Sequence, residues 1–77
     1  MKTNTSTILA FASHDTYQMV LPCTIAYLAS AGNYVRIHRT KGPDVLVSKN
    51  LKAIESILPP DMFVRIHKQY VVNIYQI

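Results

Sequence analysis

Several kinds of residue are scarce in this 77-residue chain, and each scarcity excludes something. It has one cysteine, Cys23, so no internal disulfide can form and nothing points to an oxidising compartment. A reactive thiol needs a base or cation beside it. "LPCTIA" supplies neither, so Cys23 is expected as a small buried core residue. Two glycines leave little material for a cofactor cradle, and neither a glycine-rich phosphate loop nor G-x-S-x-G occurs. The four carboxylates are unpaired, and His14, His38, His67 and Cys23 lack metal-ligand spacings such as C-x-x-C or H-x-x-x-H. An enzyme with a catalytic site, cofactor, metal or small-molecule substrate is therefore not expected. No apolar run approaches the ~20 residues that span a bilayer, so no membrane role is expected. "MKTNTSTILAFASHD" imitates a secretory signal, but its apolar part is too short and follows four hydroxyl residues. The expected setting is cytoplasmic.

What remains is the composition of one small folded domain over residues 1–77, 49% hydrophobic and 16% charged. The net charge of +4 is unevenly placed. Lys2 and Asp15 cancel in the first part, whereas residues 36–77 hold seven Lys or Arg against Asp44, Glu55 and Asp61. Grouped cations attract phosphates, which favours a polyanionic partner; a solvated basic face kept for solubility is the plainer alternative.

Along the chain, residues 1–6 read as a frayed start, and "TILAFA" (7–12) and "TYQMVL" (16–21) as strands joined by a turn at Ser13, His14 and Asp15. Pro22 ends the second strand. "TIAYLAS" (24–30) fits a strand by the alternation of Ile25, Tyr27 and Ala29, although its alanines also suit a helix. "YVRIHR" (34–39), the loop "TKGPD" and "VLVS" (45–48) read as a hairpin. Ser48 or Asn50 then starts one amphipathic helix, about 50–58, with Leu51, Ile54 and Leu58 inward, Ile57 widening the stripe, and Lys52, Glu55 and Ser56 outward. Pro59-Pro60 stops it. "FVRIHK" (63–68) is a further strand, Gln69 interrupts it, and "YVVNIYQI" reads as strand to the last residue. The class is mostly β with one short helix.

VRIH thus occurs twice, after Tyr34 and after Phe63. Alternate side chains leave a strand on opposite faces, so Val35 and Ile37 are expected inward with Arg36 and His38 outward. The same reasoning puts Val64 and Ile66 inward and Arg65 and His67 outward. In one sheet these strands would line one surface with four donors, with Arg39 and Lys68 at the strand ends. Guanidiniums fork onto phosphates or guanine edges, and Lys reaches phosphate as a mobile charge. Against this, any half-exposed strand alternates. Phe63, Tyr70, Val71 and Val72 are expected in the core, and Asn73 in a turn.

Residues 31–77, "AGNYVRIHRTKGPDVLVSKNLKAIESILPPDMFVRIHKQYVVNIYQI", resemble the LytTR DNA-binding domain of bacterial response regulators. That family has an aromatic "GNY" strand, a short loop, a "SL..L...L" helix and a signature close to F-x-R-x-H-R/K-S-Y-x-V-N. The signature reads "FVRIHKQYVVN" here, and "TIAYLASAGNY" is similar to the family's "I-x-Y-I-E-A-x-G-N-Y". The likeness covers about residues 17–77. Gln69 departs from the family's usual Ser. The family also continues with further strands and a loop that supplies another DNA contact, which has no counterpart before Ile77, and nothing ahead of residue 17 could be a receiver domain.

The resemblance implies an elongated β-β-β arrangement of small antiparallel sheets, with loops rather than a recognition helix entering successive major grooves of double-stranded DNA. Carried over by position, Asn33 and Tyr34 lie in one base-facing loop and Lys68 in another. Arg36, Arg39, Lys41 and Lys49 would track the backbone, with His38 beside them, while Arg65 and His67 belong to the signature. The competing role for Arg65 and His67 is to orient the Lys68 loop. The implied function is transcription regulation. The alternatives are a truncated relative serving as an interaction or dimerisation module, and a small RNA-binding β domain. "YVVNIYQI" as an exposed final strand would favour a homodimer that pairs or exchanges terminal strands.

Overall fold

The computed structural model describes the backbone of residues 8–13 and 16–76, with the side chains of 12, 13 and 16 outside it. Among the described residues seven strands and one short helix form two antiparallel sheets. The strands are β1 (Leu9–Ser13), β2 (Thr16–Val20), β3 (Ile25–Ala31), β4 (Tyr34–Arg39), β5 (Val45–Val47), β6 (Phe63–His67) and β7 (Tyr70–Asn73), with α1 at Leu51–Glu55. The frayed start expected over residues 1–6 and the turn at His14 and Asp15 lie outside the described residues.

β1 and β2 form a two-stranded hairpin, in which Leu9 pairs with Val20 and Phe11 with Gln18. Leu9, Phe11 and Val20 are buried, while Ala10 and Met19 on the other face are exposed. The remaining strands make a five-stranded sheet in the order β5-β4-β3-β7-β6. Pro22 ends β2 as expected and opens a short 3₁₀ turn, Pro22–Thr24. Cys23 on that turn is exposed, against the expectation of a core residue. The turn buries Pro22 and turns its neighbour outward.

The strand expected over 24–30 runs from Ile25 to Ala31, with Thr24 in the 3₁₀ turn, and it carries a bulge between Ile25 and Tyr27. The extra residue shifts the alternation, so the buried members are Ile25 and Leu28 rather than Ile25 and Tyr27. The β3–β4 connection is a two-residue turn with Gly32 at φ +63°, a conformation that costs an L side chain about 1 kcal/mol or more. β4 and β5 form the expected hairpin with a loop at 40–44, and Ile37 pairs with Val45.

The chain crosses from the edge strand β5 to the opposite edge β6 by way of α1, which lies on the core face. Asn50 caps it, its Oδ1 accepting from the Ala53 N–H at 2.8 Å. Leu51, Ile54 and Leu58 are buried and Ile57 is not, so the apolar stripe is narrower than expected. The regular helix also stops at Glu55, short of residue 58, and its remainder is turn. These residues join Leu9, Phe11, Val20, Ile25, Leu28, Val35, Ile37, Val45, Val47, Phe63 and Val71 in one core on one face of the five-stranded sheet.

The two VRIH copies sit in opposite phase. Val35 and Ile37 in β4 are fully buried, as the alternation predicts. In β6, Val64 and Ile66 are 44% and 61% exposed, reversing the expectation. Phe63 sets that phase. It pairs with buried Asn73, so Arg65, which pairs with buried Val71, lies on the core side of the sheet. A bulge between Arg65 and His67 then places His67 opposite Tyr70 on the outer face. The sheet therefore carries Arg36, His38 and His67 on its outer face, but not Arg65. Val71 is buried and Val72 half-buried, whereas Tyr70, expected in the core, is exposed.

The C-terminal run also differs from its reading. β7 ends at Asn73 and is followed by a 3₁₀ turn, Ile74–Gln76. Asn73 holds that turn: its Oδ1 accepts from the Tyr75 N–H at 2.9 Å, and its buried Nδ2 donates to the Ile25 carbonyl at 2.9 Å. β7 is bonded to β3 on one side and β6 on the other, so it is no free edge. A dimer through this strand would therefore have to exchange β7 between copies rather than add a strand beside it.

Candidate nucleic-acid interface

Sheet polarity sorts the candidate residues into two ends. β3 runs toward the Gly32–Asn33 turn, and β7, antiparallel to it, starts just after the Lys68–Gln69 turn. The Ser30 N–H donates to the Gln69 carbonyl at 2.9 Å, which ties the two turns together. Lys49 follows β5, whose Val47 pairs with Val35 near the start of β4, so it lies toward the same end. That end thus holds Asn33, Tyr34, Lys49, His67 and Lys68, all exposed. Lys49 and Lys68 make no ion pair among the described residues.

Arg39 and Lys41 lie at the other end. Arg39 pairs with Ile25 at the start of β3, and Thr40 N–H donates to the Thr24 carbonyl at 2.8 Å. Arg39 Nε donates to the Pro43 carbonyl at 3.1 Å, so it closes its own loop. The structure does not bring these two cations to the turn end.

Arg36 and His38 occupy the outer face between the ends, and Asp44 claims both. Arg36 Nη1 donates to Asp44 Oδ2 at 3.1 Å, and His38 Nδ1 lies 2.9 Å from Asp44 Oδ1. The Arg36 hydrogen bond is the chief cause holding the Asp44 carboxyl below the usual carboxylate range; the His38 hydrogen bond and the charges of both act the same way. The His38 ring also stacks on Tyr27, with centroids 4.7 Å apart. Asp44 was not singled out from the sequence. Its signal was available in the hairpin, because pairing Ile37 with Val45 puts Asp44 beside His38 across the strands.

The Lys68 turn is built differently from the Asn33 turn. Its residues, His67-Lys68-Gln69-Tyr70, include no glycine, asparagine or proline, so local propensity does not fold it. Side chains supply what the turn lacks. Arg65 Nη2 donates to the Lys68 carbonyl at 2.6 Å and Arg65 Nε to the His67 carbonyl at 3.3 Å. His67 Nδ1 accepts from the Gln69 N–H at 3.1 Å, and its ring meets Tyr70 at 5.6 Å. The third arm of Arg65, Nη1, donates to Glu55 Oε1 at 3.0 Å. No sequence pattern points to Glu55, which stands at the end of α1, ten positions before Arg65, and meets it through this one bond.

The site therefore has two exposed turns side by side on a rigid sheet, with a short-reach amide on one and a mobile cation on the other. It offers donors for base edges and phosphates, and among the described residues it gathers no group of three or more potential metal ligands. No helix among the described residues is long and apolar enough to cross a membrane.

A model of the LytTr DNA-binding domain family matches residues 15–77. The chain belongs to that family. This LytTr domain is also similar to the solved LytTr DNA-binding domain described as that of a methyl-accepting/DNA response regulator from Bacillus cereus. The two share 20% identity at a TM-score of 0.73, over 88% of this chain and 62% of the solved one. At that identity the likeness carries the fold, and the LytTr domain here spans less than two thirds of the solved chain. No curated protein matches it. Membership agrees with the two antiparallel sheets and single short helix. The family is one of DNA-binding domains rather than enzymes.

Proposed function

We propose that this LytTr domain binds double-stranded DNA sequence-specifically, as the DNA-reading part of a cytoplasmic bacterial transcription regulator of the response-regulator type. The observation that carries the reading is the pairing of the Gly32–Asn33 and Lys68–Gln69 turns at one end of the sheet, tied through Ser30 and Gln69. Asn33 suits a bidentate contact to adenine, and Lys68 a contact to guanine or phosphate. Tyr34, Lys49 and His67 flank them. Arg36 and His38 join the interface only where phosphate outcompetes Asp44, and Arg39 and Lys41, at the far end of β4, could reach only phosphates beyond those the turns meet.

The spacing of the turns narrows how they meet DNA. Their hairpins are offset by two strand spacings, roughly 10 Å, well short of the roughly 34 Å between successive major grooves. We therefore place both turns on a single stretch of groove and its bordering phosphates, rather than in successive major grooves.

A second reading, an interaction or dimerisation module, draws on the outer face of the sheet, where Tyr27, Leu46, Val64, Ile66 and Tyr70 are all exposed. A homodimer would use that face or the free edge β6 more readily than β7, whose two sides are paired.

A salt titration separates the readings. Binding to a random-sequence duplex should weaken with a log-log slope near −4 for about four phosphate contacts, and a single-stranded oligonucleotide should bind less well. A flat response, or a preference for the single strand, would sink the duplex reading.

A further inference from the structure

Arg65 belongs to the signature and is cationic, so a phosphate contact is the obvious role for it. The geometry points elsewhere. Arg65 lies on the core side of the sheet, its side chain 32% exposed, and all three guanidinium nitrogens have acceptors within the protein: the carbonyls of His67 and Lys68 and the carboxylate of Glu55. A fork of fixed donors suits such an arrangement, since the guanidinium alone sets three donor nitrogens apart in one rigid plane, where a lysine ammonium has a single nitrogen. The turn it grips has no turn-forming residue of its own, and two carbonyls pointed toward one guanidinium fix its path. Ser30 holds the same turn from the β3 side through the Gln69 carbonyl, at 2.9 Å.

We infer that Arg65 is a positioning residue: it sets the Lys68–Gln69 turn in its presenting conformation and braces it against α1 through Glu55, without touching DNA. The inference rests on the reading that Lys68 meets the duplex. It makes α1 part of the interface apparatus, although no α1 side chain lies at the turn end itself. It also explains why Gln69 can stand where the family has Ser: the turn is held through its neighbours' side chains and through the Gln69 backbone.

Two readouts on the full chain test it. The first needs no DNA. Arg65→Lys keeps the charge but cannot span three acceptors, and Glu55→Gln weakens the brace. In both, hydrogen exchange at the Gln69 amide should quicken by about tenfold while the Leu28 and Ile37 amides keep their rates. Unchanged Gln69 exchange in both variants would overturn the inference.

The second readout is anisotropy of a labelled random-sequence duplex across a salt series. Removing the Glu55 charge should tighten binding if only net charge matters; a brace predicts weaker binding, roughly three- to tenfold, from Glu55→Gln and Arg65→Lys alike. In a Lys68→Ala background, Arg65→Met should leave the salt slope alone, any further loss coming only through His67 on the same turn. An added loss there, with a slope shallower by about 0.9, would show a phosphate contact of Arg65's own and overturn the inference while the DNA reading stands. A parent chain that ignores the duplex at low salt would overturn the DNA reading instead, and with it the presenting role given to Arg65.

Discussion

Asp44 is the residue on which the outer face turns. It pairs with Arg36, holds His38 and is itself held in the charged form, so one carboxylate decides whether both side chains are available to a polyanion. The sign of its pH effect follows from that. Because the folded protein lowers the Asp44 pKa, its contribution to stability is present at neutral pH and is lost as pH falls through and below the usual carboxylate range. Thermal unfolding should therefore drop on acidification in that window, and Asp44→Asn should flatten the curve there and meet the parent at the acid end. The same substitution should strengthen binding to a random-sequence duplex, since it removes one negative charge and frees Arg36 and His38. That is the opposite of the weakening expected from Glu55→Gln, although both remove one carboxylate. The difference lies in what each carboxylate holds: a pair of side chains in one case, the course of a turn in the other. Asn73 shows the same dependence on partners. The sequence marked it as a turn residue, which it is, but its amide also reaches the Ile25 carbonyl inside the core.

At the scale of elements, the repeated VRIH shows why a local pattern fixes the presence of a strand but not its facing. Alternation requires only that Val and Ile share a side, and in β4 that side is the core. In β6 the side is chosen by Phe63 and by Asn73 opposite it, a pairing no alternation within the strand can reveal. Ile37→Ala should accordingly cost 2–5 kcal/mol in denaturant unfolding, as removal of a fully buried aliphatic side chain does. Ile66→Ala, on an exposed edge position, should stay within about 0.5 kcal/mol of the parent. Equal costs at the two sites would show the phases of the copies to be the same. Turns and helix divide in the same way. Gly32, Pro22 and Asn50 announce their turn, stop and cap, because each acts through its own backbone or nearest neighbours. The Lys68 turn has no such residue, and its real determinants, Arg65 and Glu55, stand three and 13 positions away. Both bulges were invisible for a related reason: an extra residue is defined only against a partner strand.

The whole molecule is a sheet with an inside, an outside and two unlike ends. Its inside face is closed by the β1–β2 hairpin and α1. Its outer face leaves Tyr27, Leu46, Val64, Ile66 and Tyr70 exposed around Arg36 and His38. One end gathers Asn33, Lys49 and Lys68, and the other carries Arg39 and Lys41 in a loop closed on itself. Mostly-β class, strand count and family were readable from the run of motifs, but the split between the ends was not, since it depends on strand order across residues far apart in the chain. Charge clustering in residues 36–77 suggested one basic surface, whereas the fold separates those cations. The central claim, that the paired-turn end is the face presented to duplex DNA, is tested most directly by an NMR titration of the isotope-labelled chain with a random-sequence duplex. The amides of Asn33, Lys49, Lys68 and Gln69 should shift together on addition of DNA while those of Thr40, Lys41 and Gly42 stay in place. Shifts centred on Thr40 to Gly42, with the two turns unmoved, would contradict it.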